Sequence, residues 1–180
     1  MNRVEELGRI ENLEAVAWDL SNLLAVNNPD IAEEFAGSTA RYAGSMEKAL
    51  GNLQLAASQC EAGVHQRFIG FCGETAAGMA MLRVASASAV IDQEVVKAVD
   101  LNTPNLGIFV CNPYRGEGLG RDLALACCAE IDKKFDGKAW TAVKETNIAS
   151  RRMVERAGFR PGPTLNNSVI YNYHALDLTA

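Results

Sequence analysis

The sequence predicts an α/β fold, α+β by some conventions, built on a mixed sheet. Three observations carry this. Apolar residues follow helical spacing up to about residue 58 and shorten into strand-length runs after residue 65. From 105 to 176, strand-like and helix-like segments alternate. The stretch 105–145 reads strand–helix–strand, a connection that is right-handed with parallel strands in almost all folds.

Residues 12–25 place Leu13, Val16, Ala17, Leu20, Leu23 and Leu24 on one helical face. Asn27-Asn28-Pro29 breaks that run, and Pro29 suits the first turn of a second short helix, 30–36, capped by Asn28. Residues 41–58 continue helically, with two internal glycines that weaken the stretch. "RFIGFCGE" and "TAAGMAMLRVA" then read as two strands joined by a tight hairpin at Gly73-Glu74. Residues 86–103 read as a loop with one short helix near "DQEVVKAV". "NLGIFVC", 105–111, is a buried strand, followed by a glycine-rich loop and a helix over 118–134. "KAWTAVKE", 138–145, is another strand. "NIASRRMVERAG", 147–158, is a short helix with Asn147 as N-cap and Gly158 as its stop. The strand 168–176 closes the chain, with Val169, Tyr171 and Tyr173 alternating against Ile170, Asn172 and His174.

The chain has 180 residues, enough for one domain with a sizeable core. Its formal net charge of −5 argues against a broad nucleic-acid-binding surface. No apolar run reaches membrane-spanning length, and the charged N-terminus is not a secretory signal. Cys60, Cys72, Cys111, Cys127 and Cys128 are odd in number and lack CxxC spacing, which fits neither a disulfide framework nor a zinc site. His65 and His174 stand alone, so no metal site is expected. Together these features point to a cytoplasmic protein with reduced thiols. Trp18 and Trp140 read as core or pocket-lining residues.

"NPYRGEGLGRDLALA", 112–126, poses the functional question. A helix N-terminus offers unpaired N–H groups and a partial positive charge. Gly116, Gly118 and Gly120 let the backbone approach a ligand, and Arg115 and Arg121 add full charges, a combination suited to a phosphate or pyrophosphate. The ATP-binding GxxxxGK[ST] loop is excluded, because the segment ends Gly120-Arg121-Asp122. The dinucleotide GxGxxG fingerprint is excluded too, because the glycines run GxGxG and no acid follows near residue 140.

"RGEGLG" resembles the R/Q-x-x-G-x-G/A loop of the GNAT superfamily of acyl-CoA-dependent N-acyltransferases. "NIASRRMVERAGF" resembles that family's second motif, one helix and one strand further on. The clear resemblance covers 105–160, and element order extends it to 67–176; residues 1–60 match only as helices. The family's first strand has one candidate, residues 3–7. The resemblance implies one acetyltransferase-like domain over 1–180, with a helical N-terminal part and a mostly antiparallel central sheet flanked by helices. It also implies a parallel strand pair that splays apart at the CoA site.

By the same resemblance, acetyl-CoA is the co-substrate and an amine, on a small molecule or a peptide, the acceptor. Pantetheine would bond the backbone around Val110 and Cys111. The pyrophosphate would sit on Arg115, Gly116, Glu117, Gly118, Leu119, Gly120 and Arg121, with Asn147 and Ser150 near the pantetheine side. Neither a nucleic acid nor a membrane is implied as a partner, whereas homodimers are common in the family.

Direct attack of the amine on the thioester requires a proton to leave the amine, because an amine of pKa about 10.4 is neutral only about once in a few thousand molecules at pH 7. The sequence departs from the family here. The tyrosine that many relatives use as the acid is replaced by Val154, and strand 105–111 lacks the common glutamate base. Asn105 can only position a water. Glu74, Asp100, Tyr114, Tyr171 and Tyr173 are the available substitutes, and no catalytic residue is assigned among them. Cys111 lies where the thioester would pass, but no histidine is placed to activate it. An alternative reading is a non-catalytic acyl-CoA-binding module, and a third is an unrelated nucleotide-binding domain.

Overall fold

The computed structural model describes residues 1–27, 45–61, 65–84 and 99–175. Its elements run β1 (Asn2–Glu6), α1 (Leu13–Asn27), α2 (Met46–Glu61), β2 (His65–Cys72), β3 (Thr75–Val84), β4 (Pro104–Val110), α3 (Leu119–Lys134), β5 (Lys138–Lys144), α4 (Ile148–Arg156), β6 (Arg160–Leu165) and β7 (Ser168–His174). The strands hydrogen-bond in the order β1-β2-β3-β4-β5-β7-β6. β4 and β5 are the parallel pair, whereas β1–β2, β5–β7 and β6–β7 are antiparallel. This is the mixed sheet the sequence predicts. The expected helix 30–36 and the segment near 92–98 lie outside the described residues.

The described chain forms two compact units, Met1–Ala80 with Ile108–Leu123 and Met81–Gly107 with Ala124–Ala180. In the first unit, Asn12 caps α1 by accepting from the Ala15 N–H at 3.1 Å. Val16, Ala17 and Leu20 of the predicted stripe are buried, and Leu13 and Leu23 pack against the same core. Ser45 caps α2 through the Lys48 N–H at 3.3 Å, and the helix runs from Met46; residues 41–44 of the expected stretch lie outside the described residues. Ala49, Leu53, Ala56 and Cys60 on its inner face join Ile69, Phe71, Met79 and Phe109 of the strands in one apolar cluster. The hairpin forms at Gly73-Glu74, with Gly73 at φ +62°. The family's first strand is present as β1, in register with β2 from Asn2↔Cys72 to Glu6↔Phe68. Trp18 departs from the core expectation, being 59% exposed on α1.

In the second unit, β5 and β7 pair along their whole length, from Lys138↔His174 to Lys144↔Ser168. Val169, Tyr171 and Tyr173 are buried as the alternation requires, but Ile170 is buried too, so both faces of β7 are covered there. The Phe159 and Tyr173 rings pack with centroids 5.1 Å apart. Trp140 is buried, as expected. The sequence reading contains no strand over 160–165; the chain nevertheless turns at Asn166-Asn167, both at positive φ, and runs antiparallel as β6 and β7. No helix among the described residues is long and apolar enough to cross a membrane.

Candidate active site

The glycine loop belongs to the first unit. β4 ends at Val110, one residue earlier than the sequence suggests, and Cys111 opens a 3-10 turn over Asn112–Tyr114. Pro113 suits the start of that turn. The Arg115 side chain turns back, and its Nε donates to the Val110 carbonyl at 3.1 Å. Gly116 and Gly118 sit at φ +87° and +85°, in the left-handed region where a Cβ is strained. These two glycines are therefore demanded by the backbone, whatever the loop binds.

Gly118 is the N-cap of α3, since its carbonyl accepts from the Arg121 and Asp122 N–H groups at 3.0 and 3.1 Å. An N-cap side chain normally satisfies a donor of the first turn, and glycine has none. The Leu119 and Gly120 N–H groups precede the first intrahelical donor, Arg121, and no side chain among the described residues accepts from them. Arg115 and Arg121 are exposed beside these donors. Arg121 is 3.4 Å from Asp122 Oδ1 at the surface, a contact worth little. Unbonded donors and the helix dipole suit this turn to an anion, and Arg115 and Arg121 add positive charge on the same exposed segment.

Behind the loop, Asn2 of β1 donates from Nδ2 to the Glu117 carbonyl at 2.9 Å and to Asp122 Oδ2 at 3.0 Å. Its Oδ1 accepts from the Cys72 thiol at 3.3 Å. Sequence reasoning does not single out Asn2, because no motif marks it and its carbonyl partner lies 115 positions away. β4 is held equally closely: a Cβ on Gly78 of β3 would meet the Phe109 carbonyl oxygen at 2.7 Å.

The expected pantetheine contacts at Val110 and Cys111 acquire detail. The Val110 carbonyl is engaged by Arg115, and the Cys111 N–H donates to the Ala77 carbonyl at 2.8 Å. Cys111 is fully buried, and burial pushes its thiol up to about 12 against the pull of Arg115. A thiol so protonated is a packing group and not a nucleophile. Val110, Cys111 and Arg115–Arg121 thus follow one another from the end of β4 to the first turn of α3.

In the second unit, Asn147 Oδ1 accepts from the Ser150 N–H at 3.1 Å and caps α4. The helix stops in a Schellman arrangement, with Gly158 N–H on the Glu155 carbonyl and Phe159 N–H on that of Val154. Asn147 and Ser150 are thereby joined at the first turn of α4. Asn105 of β4 pairs in parallel register with Trp140 of β5. One residue on, the Leu106 carbonyl accepts from the Thr141 hydroxyl at 2.8 Å.

The structure also sorts the acid and base substitutes. Val154 is buried. The buried Tyr171 donates its hydroxyl proton to Glu155 Oε1 at 2.7 Å and accepts from Arg151 Nε at 3.1 Å, which commits it to packing. Tyr173 donates to Asp132, and burial raises its hydroxyl far above the ordinary range. Asp100 accepts from the main chain and side chain of Asn102, as a turn-former does. Glu74 is an exposed turn residue. Tyr114 is half-buried beside the glycine loop, and its hydroxyl has no partner among the described residues. No group of three or more His, Cys, Asp or Glu among those residues is arranged to hold a metal ion.

Comparison with known proteins adds an independent finding. Residues 41–159 match the model of the acetyltransferase (GNAT) family. Among solved structures, the chain is similar to aminoglycoside acetyltransferase AAC(6')-Ib in complex with coenzyme A, at 18% identity and a TM-score of 0.68, covering 99% of this chain and 98% of that one. It is similar to RimL, a ribosomal L7/L12 α-N-protein acetyltransferase in complex with coenzyme A, at 14% identity and a TM-score of 0.63, covering 94% and 92%. It is also similar to the microcin C7 self-immunity acetyltransferase MccE in complex with acetyl-CoA and AMP, at 14% identity and a TM-score of 0.63, covering 89% and 87%. No curated protein matches.

Proposed function

The chain belongs to the GNAT acetyltransferase family, and from that premise we propose that it moves an acetyl group from acetyl-CoA to a primary amine by direct attack. The observation that carries this reading is the glycine-capped start of α3, whose Leu119 and Gly120 N–H groups have no acceptor of their own among the described residues. A pyrophosphate fits this set of donors, with Arg115, Gly116, Glu117, Gly118 and Arg121 completing the cradle. Val110 and Cys111 would guide the pantetheine arm, and Asn147 and Ser150 would support it.

In the reaction the amine lone pair attacks the thioester carbonyl carbon. The C–N bond forms, the C–S bond breaks, and the proton lost by the amine restores the thiol of CoA. Tyr114 is the substitute whose hydroxyl is uncommitted, so it is the group we assign to handling that proton, directly or through water. The acceptor class is an amine on a small molecule or a peptide. Solved relatives of this fold include an aminoglycoside enzyme and a protein N-terminal enzyme.

Thermal unfolding with and without acetyl-CoA tests the reading, with Gly118→Glu as control. Ligand at one hundred times its dissociation constant adds about 2.7 kcal/mol to the wild type, and the variant loses the shift. A folded wild type with no shift overturns the reading. Binding without transfer across a panel of amines would leave an acyl-CoA-binding module.

A further inference from the structure

We propose that Asn2 is a positioning residue for the pyrophosphate cradle, fixing the peptide between Glu117 and Gly118 in one orientation. This rests on the acetyl-CoA reading of that loop. A trans peptide carries its C=O and N–H on opposite sides, and the described chain has no cis peptide bond. Because Asn2 Nδ2 holds the Glu117 carbonyl at 2.9 Å, the Gly118 N–H faces away from Asn2. Gly118, at φ +85°, has no side chain to hinder rotation of that peptide plane. Left alone, the plane could flip and present a carbonyl oxygen where an anion needs a donor.

The second hydrogen of the same amide holds Asp122 Oδ2 at 3.0 Å. Asp122 is the acid of the helix's first turn, and its charge opposes an anion there. Asn2 keeps one of its oxygens on the β1 side. Only an NH2 can meet two acceptors at once, so the partners fix the amide's orientation, and Oδ1 is left to accept from Cys72. All three polar positions of the side chain have a partner. An aspartate in this place would set acceptor against acceptor at both Glu117 and Asp122.

The test measures CoA binding by calorimetry in the wild type, Asn2→Ala and Asn2→Asp. S-acetylpantetheine, which lacks the pyrophosphate, is titrated in parallel by NMR. Asn2→Ala is expected to weaken CoA about tenfold, Asn2→Asp more, and neither to change S-acetylpantetheine. Unchanged CoA affinity, or equal loss for both ligands, overturns the inference. Should the Asn2 variants fail to fold, Cys72→Ala decides: it frees only Oδ1, with an expected loss of about twofold for CoA alone, and no loss overturns the inference. A wild type that does not bind CoA overturns the acetyl-CoA reading itself, and the inference with it.

Discussion

Arg115 donates from Nε to the Val110 carbonyl five residues upstream, at 3.1 Å. The bond ties the glycine loop to the end of β4 and leaves the two terminal nitrogens of the fork for an anion. Lysine has the charge but not the fork, so it cannot do both. Arg115→Ala and Arg115→Lys are each expected to weaken CoA binding about tenfold. Calorimetry at low and high salt checks the electrostatic part, since the wild type should lose more affinity with salt than Arg115→Ala.

Two glycines should respond oppositely to a methyl group. On Gly78 the added Cβ would lie 2.7 Å from the Phe109 carbonyl oxygen and 3.3 Å from Val110 Cα, both backbone atoms that cannot move aside. Gly78→Ala is expected to cost about 1–3 kcal/mol and to weaken CoA binding by shifting β4. On Gly51, inside α2, the same methyl meets nothing within 4 Å. Gly51→Ala is expected to stabilise by about 0.5–1 kcal/mol. Chemical denaturation of the two variants reads both signs.

Removing the Asn147 side chain leaves the Ser150 N–H without its acceptor at 3.1 Å. Asn147→Ala is expected to destabilise by about 1 kcal/mol. Asn147→Asp and Asn147→Ser, which retain an acceptor oxygen, should recover most of the loss, as thermal melts would show.

The thiols make stability depend on alkaline pH. Burial raises Cys111 and Cys128 from an ordinary value of 9.0 to about 12, and holds Cys127 well above its ordinary value too. A raised folded-state value means that the unfolded chain releases protons first. Stability is therefore full below pH 9 and falls between about 9 and 12, by about 1.4 kcal/mol per pH unit for each thiol involved. Urea titrations across that window should show the slope, and Cys111→Ala should reduce it. In native protein below pH 9, a thiol reagent should reach the half-buried Cys72 before Cys60, Cys111, Cys127 and Cys128, all of which are buried.

How much of this was legible in the sequence depends on how local the cause is. The glycine loop was readable because positive φ at Gly116 and Gly118 requires glycine whatever surrounds it. α4 was readable because Asn147 and Gly158 mark its two ends in the chain itself. β1 is five residues of "NRVEE", with Arg3 and Glu5 paired at 3.1 Å on the surface, so no apolar run announces it. The part of Asn2 was invisible because it depends on how β1 pairs with β2. β6, "RPGPTL", carries residues that argue against a strand, and forms because β7 offers it a partner.

Those same residues set a boundary. β6 is the last strand in the sheet order, and Pro161 and Pro163 deprive two of its six positions of an N–H. A seventh neighbour-to-neighbour ladder built on that rim would meet two residues, among the strand's first four, with no N–H to give. The rim is thus chemically blunt, a poor template for runaway strand-on-strand polymerisation.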